Sequence, residues 1–456
     1  MDSKYSLPQD GGLILEGTPS DIIHRYEKIP TSIFEVESQG VEYVTQQIVD
    51  AIKAHEAESP NSLFALGLTT GRTPIGMYHE LVRRYEAGEV SFKNVVVYSL
   101  DEFYPIKWTE QQSRSLRVKE DLLDKIDIKP ENIHLIDGTT PLEEVSAYCA
   151  AYDRMARNLD LMVIGMGEQG QVGFNEAGSY AKSVTRMVQL SHQSRKKQAG
   201  NFYGIENTPR MAITMGLNTV MNAKRIIIMA WGEGKADVVK KVVEGEATRL
   251  IPASLLQNHS NIEAVVDDPA GEALTVKKAP WLVGPCNWTP RMVRKAVVWL
   301  CETVQKPILK LTYKDYIENS LGEMLDAIAT SYDKVNIKVF NDLQHTITGW
   351  PGGKPNADDS TRPVPSTPFP KRVIVFSPHP DDDVISMGGT FIRLVEQGHD
   401  VHVAYETSGN VAVHDDVVMQ HIDSARELGY GDRVDEVHEI IASKKKGEPE
   451  PRALLN

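Results

Sequence analysis

The chain of 456 residues has 41% hydrophobic and 25% charged residues, enough apolar content for two or three domains with sizeable cores. A formal charge of −14 argues against a nucleic-acid partner, because neutralising phosphates requires a basic face. Three widely spaced cysteines (Cys149, Cys286 and Cys301) form no C-x-x-C pair, which suits a reducing compartment and argues against a disulfide framework.

Met1 to Ser6 lacks the basic and apolar regions of a signal peptide, and no apolar run reaches the length of a membrane span. A soluble cytoplasmic protein without a membrane partner is therefore expected. Residues 1–30 have little periodicity and read as an arm. From Ser38 to His55, Val41, Val44, Ile48, Val49 and Ile52 recur at helical spacing. Ser62 to Leu68 reads as a strand, Ile75 to Tyr85 as a helix, Val95 to Leu100 as a strand and Leu116 to Ile126 as a helix. Further strands are expected at Asp160–Ile164, Lys224–Trp231 and Ile262–Val266. This alternation predicts a doubly wound, mostly parallel α/β sheet over residues 31–290. Residues 291–348 turn helical in pattern and read as a connector, and 349–370 are dense in Pro, Gly, Ser and Asp and read as a linker. Arg372–Phe376 and Asp400–Tyr405 then open a partial second α/β domain over 371–456.

Chemistry concentrates at strand exits. Gly165-Met166-Gly167-Glu168-Gln169-Gly170-Gln171-Val172-Gly173-Phe174-Asn175-Glu176 follows an apolar strand and packs four glycines before a carboxylate, as a backbone approaching a ligand requires. Its first half matches G-x-G-x-x-G, but no acidic residue ends a following strand about 20 positions on, which disfavours a dinucleotide. Thr69-Thr70-Gly71-Arg72-Thr73-Pro74 joins strand to helix and offers N–H and hydroxyl donors to an anion; an unliganded turn is the plainer alternative. Asp101 and Glu102 put adjacent carboxylates at a strand end, where like charge can poise one as a base; helix capping by Asp101 is the alternative. Lys235 at a helix start can serve as a point charge on phosphate or be a solvated surface lysine.

Together these segments, with Ala212 to Gly216, Gly232 to Ala236, Ile251 to Gln257 and Trp281 to Cys286, resemble the glucosamine-6-phosphate deaminase family from about Ser32 to Thr289. The resemblance implies a Rossmann-like sugar-phosphate isomerase fold and a cofactor-independent enzyme of the hydrolase or aldose–ketose isomerase type. It implies deamination of glucosamine 6-phosphate to fructose 6-phosphate and ammonia in amino-sugar metabolism, by a homo-oligomer. It puts Asp101 as the base on the C2 proton and Glu176 as the carboxylate assisting ring opening, with Thr70, Gly71, Arg72, Thr73 and Lys235 on the phosphate. Gln171 stands where the family usually carries a ring-opening histidine, and Gln169 where it carries that histidine's acidic partner. An amide can hydrogen-bond a ring oxygen but cannot shuttle its proton. Gln198-Ala199-Gly200-Asn201 lacks an arginine used by part of the family on the phosphate, for which Arg72 or Arg186 could substitute. Ser113-Arg114-Ser115 stands where aromatic residues are usual. An active deaminase, an isomerase of another phosphosugar and a phosphosugar-binding regulatory domain without turnover all remain open.

Ser377-Pro378-His379-Pro380-Asp381-Asp382-Asp383 also leaves a strand, and His with Asp three residues on can ligate a divalent ion beside a carboxylate base. An acidic capping loop is the alternative. The stretch resembles the His-Pro-Asp-Asp motif of zinc-dependent N-acetylglucosaminyl deacetylases (the LmbE/PIG-L-like family), implying His379 and Asp382 as zinc ligands and Asp381 as base. Only 86 residues follow Pro370, and His399, His402, His414, His421 and His438 stand in no third-ligand motif. The expectation is a truncated deacetylase-like segment that is inactive as it stands.

Overall fold

The computed structural model describes residues 12–14, 17–344, 371–407, 415–428 and 441. Two compact units divide near Val335. The linker read at 349–370, and His414 and His438, lie outside the described residues.

The first unit is built on seven strands: β1 (Thr31–Phe34), β2 (Phe64–Leu68), β3 (Val95–Ser99), β5 (Ile133–His134), β6 (Leu161–Gly165), β9 (Ile226–Ala230) and β10 (Ile262–Asp267). They are all parallel, in the order β1-β10-β9-β6-β2-β3-β5. Alternate residues bury into two separate cores. Val96, Tyr98, Met162, Ile164, Ile226 and Ile228 face one core, and Leu66, Val95, Val97, Val163, Ile227 and Met229 face the other. Burial on both faces is why these strands are continuous apolar runs rather than alternating ones. The second core is closed by α1 (Glu37–Glu58), whose Val44, Ile48, Val49 and Ile52 form its buried stripe, and by α2 (Ile75–Glu86).

A second, antiparallel sheet was not foreseen. β4 (Asp101–Tyr104), β7 (Arg186–Gln189) and β8 (Met211–Thr214) pair in the order β4-β8-β7, with Asp101 and Arg186 both opposite Thr214. Asp101 therefore opens a strand and caps no helix. The segment read as an arm is packed where it is described: Leu13, Ile23 and Ile29 are buried, and Leu13 bridges to Cys286. The helices after Thr289, beginning with α7 (Pro290–Val304), bury Val293, Val297, Leu300, Tyr316 and Met324 and belong to the first unit as far as Val335. Between α2 and α7 lie α3 (Arg114–Asp121), α4 (Val145–Met155), α5 (His192–Gln198) and α6 (Ala236–Val243).

In the second unit, β11 (Arg372–Ser377) and β12 (Asp400–Tyr405) pair in parallel, and the helix Asp382–Glu396 joins them. Among the described residues, no helix is long and apolar enough to cross a membrane.

Candidate active site

The carboxyl ends of β2, β3, β6 and β9 carry the candidate residues, where an open parallel sheet forms its crevice. Asp101, just past β3, is fully buried. Thr70 Oγ1, just past β2, donates to Asp101 Oδ1 at 3.0 Å. Arg114 Nη1 donates to Asp101 Oδ1 at 2.7 Å, to Oδ2 at 2.8 Å and to Thr70 Oγ1 at 2.8 Å. The Arg114 guanidinium carbon lies 4.1 Å from the Phe174 ring centroid and 5.1 Å from that of Phe103. Cation–aromatic contact of this kind adds about 0.5–2 kcal/mol.

The expected carboxylate pair does not form. Asp101 and Glu102 are consecutive on a strand, so they point to opposite sides and share no site. Glu102 accepts from the Ser113 hydroxyl at 2.7 Å and from the backbone N–H groups of Phe103, Arg114 and Ser115 at 2.8, 3.0 and 2.8 Å. It anchors the start of α3, and through α3 it places Arg114. Sequence reading noted Arg114 only as a departure. A lone arginine between serines gives no spacing signal, and only the fold brings it to Asp101.

The Gly165–Glu176 loop closes over this pair. Gly173 has φ +57°, and a Cβ built there would lie 2.7 Å from Asp101 Oδ2, so glycine is required for this approach. Phe174 N–H donates to Thr214 Oγ1, and Asn175 Nδ2 donates to Val172 O and Met215 O, locking the loop to β8. Arg186 donates to Asn175 Oδ1 and Ser179 Oγ, both at 3.0 Å, so it braces the loop rather than standing free for phosphate. Burial lowers its pKa. Glu176 Oε2 accepts from Ser191 N–H at 3.0 Å, while its Oε1 is buried without a partner among the described residues. A desolvated, unpaired carboxylate oxygen is costly unless something else satisfies it. No hydrogen bond joins Glu176 to Asp101 among the described residues.

The Gln171 side chain folds back on its own loop, where its Oε1 accepts from Gln169 N–H at 3.1 Å; the Gln169 side chain is exposed. Thr73 packs against Gly165, where a built Cβ would sit 3.1 Å away, and its carbonyl accepts from Trp231 Nε1 at 3.0 Å. Gly71 takes φ +105°, and Arg72 is exposed, its side chain making no hydrogen bond or ion pair among the described residues. Lys235 Nζ donates to Met166 O at 2.8 Å. Thr73 and Lys235 thus flank the same strand exit. Burial lowers the Lys235 pKa, with Lys197 adding to the effect; Lys197 itself sits on Glu168 at 2.6 Å. Sequence reading missed Lys197, whose basic run with Lys196 was the available signal.

A model of the glucosamine-6-phosphate isomerases/6-phosphogluconolactonase family matches residues 35–266, just over half of the chain. The chain belongs to that family. A second model, GlcNAc-PI de-N-acetylase, matches residues 374–445. A relative in Bacteroides thetaiotaomicron, named only provisionally as a glucosamine-6-phosphate deaminase-like protein, is 44% identical over 447 residues, covering 95% of this chain and 67% of its own length. The glucosamine-6-phosphate deaminase of Lysinibacillus sphaericus is 39% identical over 211 residues, covering 46% of this chain and 87% of that protein. A solved glucosamine-6-phosphate deaminase described as monomeric superposes with a TM-score of 0.50 at 30% identity, covering 54% of this chain and all of that one.

In the second unit, His379 Nδ1 lies 3.1 Å from Asp382 Oδ2, and Asp381 is exposed. Asp383 is buried and tied to Ser377. No third His, Cys, Asp or Glu joins a metal-binding group among the described residues. Two ligands that bond each other make a poor fit to a zinc centre, which needs at least three from the protein.

Proposed function

We propose that the first unit binds a phosphorylated amino sugar at these strand exits and converts glucosamine 6-phosphate and water to fructose 6-phosphate and ammonia. The carrying observation is Asp101, buried beside Thr70 and pressed against the glycine loop that also bears Glu176. In this reading Thr70, Gly71, Arg72, Thr73 and Lys235 hold the phosphate, and that remote contact orients the sugar. Glu176, with its unpaired buried oxygen, assists opening of the ring in place of a titrating group at Gln171. Asp101 takes the C2 proton and returns it to C1, leaving an imine at C2. Water adds to that carbon and ammonia departs.

A second reading has an observation of its own: both Asp101 oxygens are held by Arg114, and Gln171 is an amide engaged by its own loop. That favours phosphosugar binding without turnover. Ammonia release from glucosamine 6-phosphate decides between them. Measurable wild-type turnover that Asp101→Asn abolishes supports deamination. A wild type that binds the sugar but is inert, and that Gln171→His revives, supports the binding domain.

A further inference from the structure

Arg114 is fixed, desolvated and set against the proposed base. Its side chain is 16% exposed and that of Asp101 is 0% exposed. Three acceptors hold Nη1, two aromatic rings flank the guanidinium, and Glu102 pins its backbone N–H. Nε and Nη2 have no acceptor among the described residues.

Resting on the proposed role of Asp101, we infer that Arg114 makes the site select a 6-phosphosugar whose C2 substituent is uncharged on binding. A neutral amine, an amide or a hydroxyl qualifies; an ammonium does not. Proton abstraction needs C2 within about 3.5 Å of an Asp101 oxygen. The C2 substituent, one bond further on, then falls within about 8 Å of Arg114 Nη1, which is 2.7 Å from Asp101 Oδ1. At an effective dielectric near 20, repulsion between two unit positive charges about 6 Å apart is worth roughly a hundredfold in affinity. Asp101 alone would attract an ammonium, and Arg114 cancels that attraction. Its spare N–H groups can donate to an amine lone pair, an amide carbonyl or a hydroxyl oxygen, none of which an ammonium offers.

Titration calorimetry on the full chain tests this without any turnover. The probes are glucosamine 6-phosphate and glucose 6-phosphate, which share the phosphate, so its ionisation cancels in the affinity ratio. At about pH 6 an amine with a pKa of about 8 is protonated. There the wild type is expected to bind glucose 6-phosphate at least as tightly, with the ratio moving towards the amino sugar as pH rises past 8. Arg114→Met is expected to favour the amino sugar at pH 6 by tenfold or more, and Arg114→Lys to keep the wild-type ranking. The wild-type pH series stands even if Arg114→Met does not fold. A wild type preferring the amino sugar at pH 6 by tenfold, or a ratio unchanged by Arg114→Met, overturns the inference alone. Failure of both sugars to bind overturns it together with the proposed function.

Discussion

Asp101, Thr70 and Arg114 form one hydrogen-bonded unit, and the consequences of changing each differ. Asp101→Asn keeps the shape and removes the base, so kcat for ammonia release is expected to fall by about 10³-fold while KM changes little, as steady-state kinetics would register. Gln171→His supplies a titrating group to the loop and is expected to raise kcat by up to about 10²-fold if ring opening limits the rate. Glu102→Gln leaves donors at the start of α3 without a full acceptor in a buried site. Denaturant unfolding is expected to register a loss of about 2–3 kcal/mol, with a weaker grip of Arg114 on Asp101. At this scale the sequence singled out Asp101 and Glu176 by motif, and the fold sets Asp101 against the glycine loop that bears Glu176. It was silent on a pairing made across the fold, as between Arg114 and Asp101.

The elements that present these residues divide in the same way. β2, β3, β6 and β9 were legible because strands buried on both faces are apolar throughout. The sheet β4-β8-β7 was not, because Arg186-Met187-Val188-Gln189 is only half-buried and its partners are distant in the chain. The glycine loop couples the two sheets at Gly173. Gly173→Ala forces a side chain towards Asp101 Oδ2 at a positive φ, with an expected cost of about 1–2 kcal/mol and at least tenfold in kcat from the displaced carboxylate. Thermal unfolding and kinetics on the same variant check both. On α2, Glu80 is pushed down to about 2, chiefly by its hydrogen bond from Arg83, with Arg84 contributing. A depressed carboxylate stabilises the fold above its unfolded pKa of about 4.3 and loses that contribution as pH falls towards 2. Glu80→Gln is therefore expected to lower stability by under about 1 kcal/mol at neutral pH, and urea melts should converge with wild type between about pH 4 and pH 2.

At the scale of the whole molecule, two family matches lie in one chain, at residues 35–266 and 374–445. Among its described residues the second unit pairs His379 with Asp382 and His402 with Asp400 but gathers no group of three possible ligands, so purified chain is expected to carry well under one zinc per chain. Stoichiometric zinc lost on His379→Ala would contradict that expectation. The order of the two family matches was legible in their motifs; no third metal ligand was, because no histidine after His379 stands in a spacing that identifies one.

In the proposed reaction Asp101 moves a proton at C2 of a phosphosugar. The most direct measurement is proton NMR of glucosamine 6-phosphate incubated with the protein in deuterated water, which reads exchange at C2 whether or not ring opening or ammonia loss is slow. Wild-type protein is expected to wash out the C2 proton, or to place deuterium at C1 of the fructose 6-phosphate formed, and Asp101→Asn to do neither. A wild type that binds the sugar and leaves its C2 proton in place would rule out Asp101 as the base.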